Sequence, residues 1–390
     1  MELQEILSLI PPRLLEDLAV ETGVDAFSKK LQGEVIFKLL LHCIMSDKDN
    51  SLRTMSSLYE TLFFRLINRK HQQKSIRYNS ISTRLSLINP AYFEKIFENC
   101  VWLYKKQLGK ERENIIRFDS TIVSLTTKLL SVGYHLGGDS DNVRQLKFTV
   151  GFSNNIPEIA HFYYAQTYTS ENVALKETLL KQAQDDKERI KVFDRGITAR
   201  STYDELTNRQ ITFISRLGNN SKYKVVSTSE NTELFPIETD TLIITSDSWC
   251  QLYSSGKKAK HPVRRITAIR KEDNEPIVFV TNAKTFTSIE IAELYKQRWD
   301  IEVFFKFIKQ HLNFNHLINR SENGIKVVLY VTMIAAVLLL AYKNANRLNG
   351  YKIPKQKFTA ELEAELVKHL ITMCGGNPEK LNEILLHNSS

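Results

Sequence analysis

Tyr295, Arg298, Glu302 and Lys309 stand at i, i+3, i+7 and i+14 within ELYKQRWDIEVFFKFIKQHL. On one continuous helix, at about 100° per residue, they fall at roughly 0°, −60°, −20° and −40°, a narrow stripe about 21 Å long. Leu294, Ile301, Ile308 and Leu312 flank that stripe, while Phe304 and Phe307 point to the far side. The helix is therefore expected to be mostly buried, with one polar seam. Charges at such spacing ordinarily mean an i, i+4 ladder of ion pairs on a solvated face. Here the rest of the helix is too apolar to be solvated, and the cations outnumber the acid. A surplus of fixed donors beside one carboxylate suits a phosphodiester held next to a metal ion.

Two more carboxylates stand on segments that read as strands. Asp119 lies inside NIIRFDSTIVSL, rich in β-branched residues, and Asp194 ends RIKVFDRG. Seen alone, each is as well explained as a turn or strand-end acid. The elements around them are more informative. QLKFTVGF and EIAHFYYAQTY follow the first acid, with a Gly137-Gly138 turn before them. SENVALKETLLKQAQ reads as a helix opened by Ser170 with Glu171 in its first turn, and ITFISRL as a further strand. Three strands, a helix and a strand are the order of a ribonuclease-H-like α/β sheet. YKVVST, TLIITS, RRITAIR and PIVFVTN then give a strand-rich piece. One long helix is expected from near Ser288 to about Leu312.

The fold class is thus α/β, with four parts expected. Residues 1–110 form a helical N-terminal domain. Residues 111–219 and 283–345 form the catalytic domain, interrupted by a β-rich insertion at 220–282, and 346–390 form a helical tail.

The spacing Y-x2-R-x3-E-x6-K, met by Tyr295, Arg298, Glu302 and Lys309, resembles the signature of the insertion-sequence-four family of bacterial transposases. The QRWDIE setting is similar as well. Asp119 in FDST resembles that family's first catalytic aspartate, and Asp194 in VFDRG its second; the likeness covers about 112–345. One departure is the segment ITARSTYDEL after Asp194, longer than the run some members have before their Tyr or Phe. The resemblance implies a ribonuclease-H-like catalytic domain with a β-rich insertion. It also implies Asp119, Asp194 and Glu302 as the catalytic, metal-holding acids, with Tyr295, Arg298 and Lys309 on DNA. Two Mg²⁺ ions about 3.5–4 Å apart, with Mn²⁺ as substitute, would activate the attacking oxygen and stabilise the leaving one. Expected partners are the terminal inverted repeats, target DNA and a second copy in the synaptic complex. The alternative is a transposase-derived DNA-binding protein without catalysis.

Charge agrees with a polyanionic partner: Lys and Arg outnumber Asp and Glu by 53 to 44. Two stretches concentrate the excess without an acid. Thr61 to Arg84 holds Arg65, Arg69, Lys70, Lys74, Arg77 and Arg84; Lys257 to Lys271 holds Lys257, Lys258, Lys260, Arg264, Arg265, Arg270 and Lys271. Both are expected on the DNA backbone, with Lys257, Lys258, Arg264 and Arg265 the chosen contacts of the second. Trp249, in the same strand-rich piece, is read as a core residue rather than a stacking platform for a flipped base. Four scattered cysteines without a C-x-x-C pair give no thiolate metal site and fit a reduced cytoplasm, here beside the nucleoid. The N-terminus lacks the marks of a signal peptide. Val327 to Tyr342 is uncharged for sixteen residues, short for a membrane span, and is expected in the core.

Overall fold

The computed structural model describes residues 3–26, 28, 30–46, 51–68, 75–109, 113–125, 133–135, 144–228, 233–254, 257–314 and 317–380. Seven helices come first: α1 (Leu3–Leu7), α2 (Pro12–Thr22), α3 (Gly33–Met45), α4 (Leu52–Glu60), α5 (Leu62–Ile67), α6 (Tyr78–Leu87) and α7 (Ala91–Leu108). Next are β1 (Ile115–Leu125), β2 (Tyr134–His135), β3 (Arg144–Ser153), β4 (Ile156–Tyr163), α8 (Glu171–Asp185), β5 (Ile190–Phe193), α9 (Arg200–Asn208) and β6 (Phe213–Leu217). Further strands are β7 (Tyr223–Thr228), β8 (Ile237–Glu238), β9 (Leu242–Ser254), β10 (Lys257–Lys258), β11 (Val263–Arg270) and β12 (Pro276–Thr281). The chain closes with α10 (Ser288–Lys296), α11 (Trp299–His311), α12 (Glu322–Ala345) and α13 (Lys352–Met373). Two compact units result: Met1–Gln107 with Phe307–Ser390, and Leu108–Lys306.

The first unit is helical. Pro12 opens α2 at a position where its missing N–H is no loss, and Gly23, at φ 60°, closes it in the left-handed region. Apolar spacing makes α3 bury Val35, Ile36, Leu39, Leu40 and Cys43. The uncharged helix α12 is buried continuously from Val327 to Tyr342 and packs against α1, α3, α6 and α13. Helices on several sides supply what a helix apolar all round requires. Accordingly α12, expected within 283–345 beside the catalytic elements, belongs to the helical unit instead. Arg84 is not a surface DNA contact either. Its fork donates to the carbonyls of Leu31 (2.7 Å) and Val24 (2.6 Å), which fixes the loop before α3. Arg65 and Arg77 are exposed, while Arg69, Lys70 and Lys74 lie outside the described residues.

The second unit is built on one sheet in the order β10-β9-β11-β12-β6-β5-β1-β3-β2, with β4 beside β3 and β7 and β8 beside β9. β3 runs antiparallel to β1, β5 parallel to β1, and β6 parallel to β5. Asn154 and Asn155, at φ 52° and 59°, make the two-residue turn between β3 and β4 that right-twisted strands favour. The Gly137-Gly138 turn lies outside the described residues. The strand-rich piece at 220–282 does not form a sheet of its own: β12 pairs antiparallel with β6, and β11 and β9 extend the same sheet beyond it.

Alternation along β1 sorts the two faces of this sheet. Ile116 and Phe118 enter a core with Leu175 and Leu179 of α8 and Tyr203 and Leu206 of α9. Ile115, with Ile190 and Val192 of β5, faces the opposite core, where Ile291, Ala292 and Tyr295 of α10 lie. Arg117 and Asp119 keep step with Ile115, and Asp194 with Val192, so these polar groups fall on the α10 side.

The single helix expected from Ser288 to Leu312 is two helices. Thr287 and Glu290 form a reciprocal capping box that starts α10. After Lys296 the chain tightens: Arg298 N–H donates to the Tyr295 carbonyl (2.9 Å) and Asp300 N–H to that of Gln297 (3.1 Å). No Gly or Pro causes this break. Tertiary partners of Gln297 and Arg298, described next, hold the turn.

Candidate active site

The parallel register pairs Phe118 with Phe193, so Asp119 and Asp194 follow one residue later, Asp119 on β1 and Asp194 just past the end of β5. Above them the α10–α11 turn supplies Arg298, and the first turn of α11 supplies Glu302. A connected set of contacts joins all of these. The Tyr295 hydroxyl donates to Asp194 Oδ1 at 2.8 Å, and Arg298 Nε donates to the same hydroxyl at 3.2 Å. Arg298 Nη2 reaches Glu302 Oε1 at 2.5 Å, and Nη1 lies 3.8 Å from Asp119 Oδ2. One guanidinium thus faces two acids directly and the third through a phenol.

Burial raises the stakes of these contacts. The Arg298 side chain is 9% exposed and that of Asp119 19%, against 34% for Glu302. Burial would push the Asp194 carboxyl up, but the Arg195 N–H, the Tyr295 hydroxyl and the charges of Arg298 and Arg216 outweigh it and hold it below its usual range. Burial, then the Asp194 charge, pushes the Tyr295 phenol well up, so it stays a donor. Burial works against the Arg298 charge, yet Tyr295, Glu302 and Asp194 outweigh it and keep the group firmly charged.

Three carboxylates from three elements are the oxygen donor set that Mg²⁺ or Mn²⁺ takes, with open positions left for water and phosphate. In donor chemistry Asp119, Asp194 and Glu302 fit such an ion. Among the described residues no three His, Cys, Asp or Glu groups already form a closed metal cage. The guanidinium supplies the positive charge around which these acids are gathered.

The remaining expected contacts divide. Lys309 is exposed on α11, seven residues beyond Glu302 and past Phe307, where the chain enters the helical unit. Lys258 is exposed, and Arg265 lies half-buried with its guanidinium 4.1 Å from the Tyr223 ring centre. Lys257 pairs through its backbone with Ser254, and its side chain is outside what is described. Arg264 is a correction. It is 1% exposed, with Nε shared between both Asp247 oxygens at 2.9 Å and Nη1 on the Phe286 carbonyl. A guanidinium so buried and so engaged is closed to a phosphate. Arg270 and Lys271 pair with Asp273 and Glu238. Trp249 is half-buried between β7 and β11. Tyr295 turns its hydroxyl to Asp194 rather than outward.

Sequence reasoning missed Arg117, Gln297 and Asp300. The one signal for Arg117 was its place two residues before Asp119, on the same face of a strand.

Comparison with known proteins gives a consistent picture. A model of the transposase DDE domain matches residues 110–340. The chain is 31% identical over 169 residues to the transposase-named protein y4zB of Sinorhizobium fredii, covering 43% of this chain and 46% of that one. It is 28% identical over 262 residues to a Synechocystis protein named as a transposase of insertion sequence element IS4SA, covering 63% of this chain and 66% of that one. Transposase InsG of the IS4 element of Escherichia coli is 29% identical over 110 residues, 27% of this chain and 25% of InsG. These alignments span less than two thirds of the length of each relative. A solved piggyBac transposase synaptic complex with hairpin DNA aligns at TM-score 0.48 and 10% identity, over 95% of this chain and 81% of that one. That resemblance is too loose to assign a fold. With the domain model matched over more than half of its length, the chain belongs to the DDE-domain transposases.

Proposed function

We propose that this chain is the transposase of an insertion sequence, cutting DNA at the element's ends and joining the freed 3′ ends to a target. The observation that carries the reading is the convergence of Asp119, Asp194 and Glu302 on Arg298 and Tyr295, on one face of the sheet. The strand order β4-β3-β1-β5-β6, with β1, β5 and β6 parallel, supports a ribonuclease-H-like catalytic unit.

Asp119, Asp194 and Glu302 would hold the divalent ions, Mg²⁺ in the cell with Mn²⁺ as substitute. Bound there, such ions lower the pKa of water and neutralise phosphate charge. The chain's own groups do the positioning. Tyr295 keeps Asp194 ionised and aimed, and Arg298 fixes Glu302 relative to Asp119. In the first step a water oxygen attacks the phosphorus at the element's end. The P–O3′ bond breaks, its electron pair stays on O3′, and a proton from water completes a 3′-hydroxyl. In the second step that hydroxyl loses its proton and its oxygen attacks a target phosphorus. One new P–O bond forms as one target P–O3′ bond breaks; its electron pair stays on the target O3′, which takes up a proton and leaves as a hydroxyl. Lys258, Arg265 and Lys309 would contact the DNA backbone, and two copies would pair two ends. The working place is the cytoplasm, at the nucleoid.

A second reading, DNA binding without catalysis, draws on the fact that Arg298 already satisfies acids that an ion would need. Incubating the protein with DNA carrying the repeats that flank its coding sequence decides between them. Mg²⁺-dependent nicking at the repeat boundary supports the enzyme; tight binding without nicking in Mg²⁺ or Mn²⁺ supports the alternative.

A further inference from the structure

Arg117 is 2% exposed on β1, yet it makes three polar contacts. Nη1 donates to Glu113 Oε2 at 2.6 Å, Nη2 donates to Gln297 Oε1 at 2.8 Å, and Nε lies 3.6 Å from Asp300 Oδ2. Glu113 is itself held by the Ser153 hydroxyl (3.2 Å) and the Asn154 N–H (2.9 Å), so this end of the clamp is anchored in the sheet. The other end grips the two residues that bracket Arg298 and Trp299. A strand repeats every two residues, so Arg117 and Asp119 share a face. The α10–α11 turn therefore sits on β1 at two neighbouring points, Gln297 and Asp300 over Arg117, and Arg298 over Asp119.

From this geometry we infer that Arg117 is a positioning residue for the acid cluster, acting through Gln297 and Asp300. It fixes where the helix breaks, and the break decides whether Arg298 and Glu302 reach the strand acids. A continuous helix would carry Arg298 and Glu302 on the path set by 3.6 residues per turn, with no strand contact to correct it. The inference rests on the catalytic reading, but its geometry concerns how this chain arranges its own carboxylates.

Gln297 gives a clean test because it is exposed, so its replacement removes the clamp's hydrogen bond to the turn without opening the core, leaving the longer Asp300 pair. The measurements are single-turnover nicking, end-DNA affinity in Ca²⁺, Mn²⁺ binding by calorimetry and melting temperature, on wild type, Gln297→Leu and Gln297→Glu. Gln297→Leu is expected to nick about tenfold to a hundredfold more slowly, as misplacement of a site by up to about 1 Å does. Mn²⁺ binding should weaken several-fold, while DNA affinity stays at wild type and the melting temperature falls only by the few degrees that one lost hydrogen bond costs. Gln297→Glu keeps an acceptor for Arg117 and should restore most of both losses. Wild-type nicking and Mn²⁺ binding in Gln297→Leu overturn the inference and leave the catalytic reading standing. A loss that only follows a lower melting temperature overturns it too. If the wild type binds Mn²⁺ without nicking, the catalytic reading falls, and the Mn²⁺ comparison alone decides the clamp. A wild type that does neither overturns both.

Discussion

Replacing Arg298 by Met removes the cation that bridges Glu302 and Asp119, and the structure sets the size of the effect. Two hydrogen bonds disappear, the one to Glu302 at 2.5 Å and the one to the Tyr295 hydroxyl at 3.2 Å, together with the ion pair to Asp119. Both bonds have the charged guanidinium as donor, and hydrogen bonds of a charged group contribute about 1.5–3 kcal/mol at full strength. Glu302 is a third exposed, so its share is discounted for screening, leaving about 2–3 kcal/mol. For a unit of this size that is a fall of roughly 4–12 °C in melting temperature. The same variant leaves the acids without a partner, so added Mn²⁺ should recover more stability than it adds to wild type. An ion at a hundred times its dissociation constant contributes about 2.7 kcal/mol. Scanning calorimetry of both proteins, in EDTA and in Mn²⁺, measures both differences. An unchanged melting temperature in EDTA, or equal Mn²⁺ increments in the two proteins, would refute the idea that this guanidinium bridges the cluster.

Three further predictions follow from neighbouring parts of the site and sheet. Asp247→Ala strands the buried Arg264 charge and should destabilise the protein by about 3–5 kcal/mol in chemical denaturation, whereas loss of DNA affinity beyond the unfolded fraction would show a direct contact. Lys258→Ala and Arg265→Ala should each flatten the log–log salt dependence of DNA binding by about one, and an unchanged slope assigns that residue to plain surface. Tyr295→Phe loses a hydroxyl contact of about 1 kcal/mol, so nicking should slow about fivefold. It should also shift acid unfolding. The depressed Asp194 carboxyl contributes stability above the ordinary carboxylate range, lost as pH falls through its lowered value, so without the phenol that loss begins at higher pH. An acid limb superimposable on wild type would contradict the Tyr295–Asp194 bond.

The parts of this fold that were legible came from local pattern. The β-branched run around Asp119 and the strand pattern ending on Asp194 announced β1 and β5, and a helix starting near Ser288 was readable as well. The spacing of Tyr295, Arg298 and Glu302 brought them together even though the helix that carries them is broken. The break itself was not legible, because no Gly or Pro marks it and the partners that hold it, Arg117 and Asp119, lie some 180 residues away. Arg264 misled for a related reason. Its acid Asp247 is on the adjacent strand, seventeen positions back, so a run of cations looked uncompensated. The strands at 220–282 were recognised as strands, but pairing with β6 is a long-range fact that composition does not carry. Similarly α12 revealed that it is buried, not by which helices.

The most direct test of the central claim is single-turnover nicking of end DNA in Mg²⁺ by wild type and by Asp119→Ala, Asp194→Ala and Glu302→Ala, with binding measured separately in Ca²⁺. If these acids hold the catalytic ions, each variant should bind end DNA as wild type does and show no nicking above background. Nicking at the wild-type rate by a folded Glu302→Ala protein would contradict the account.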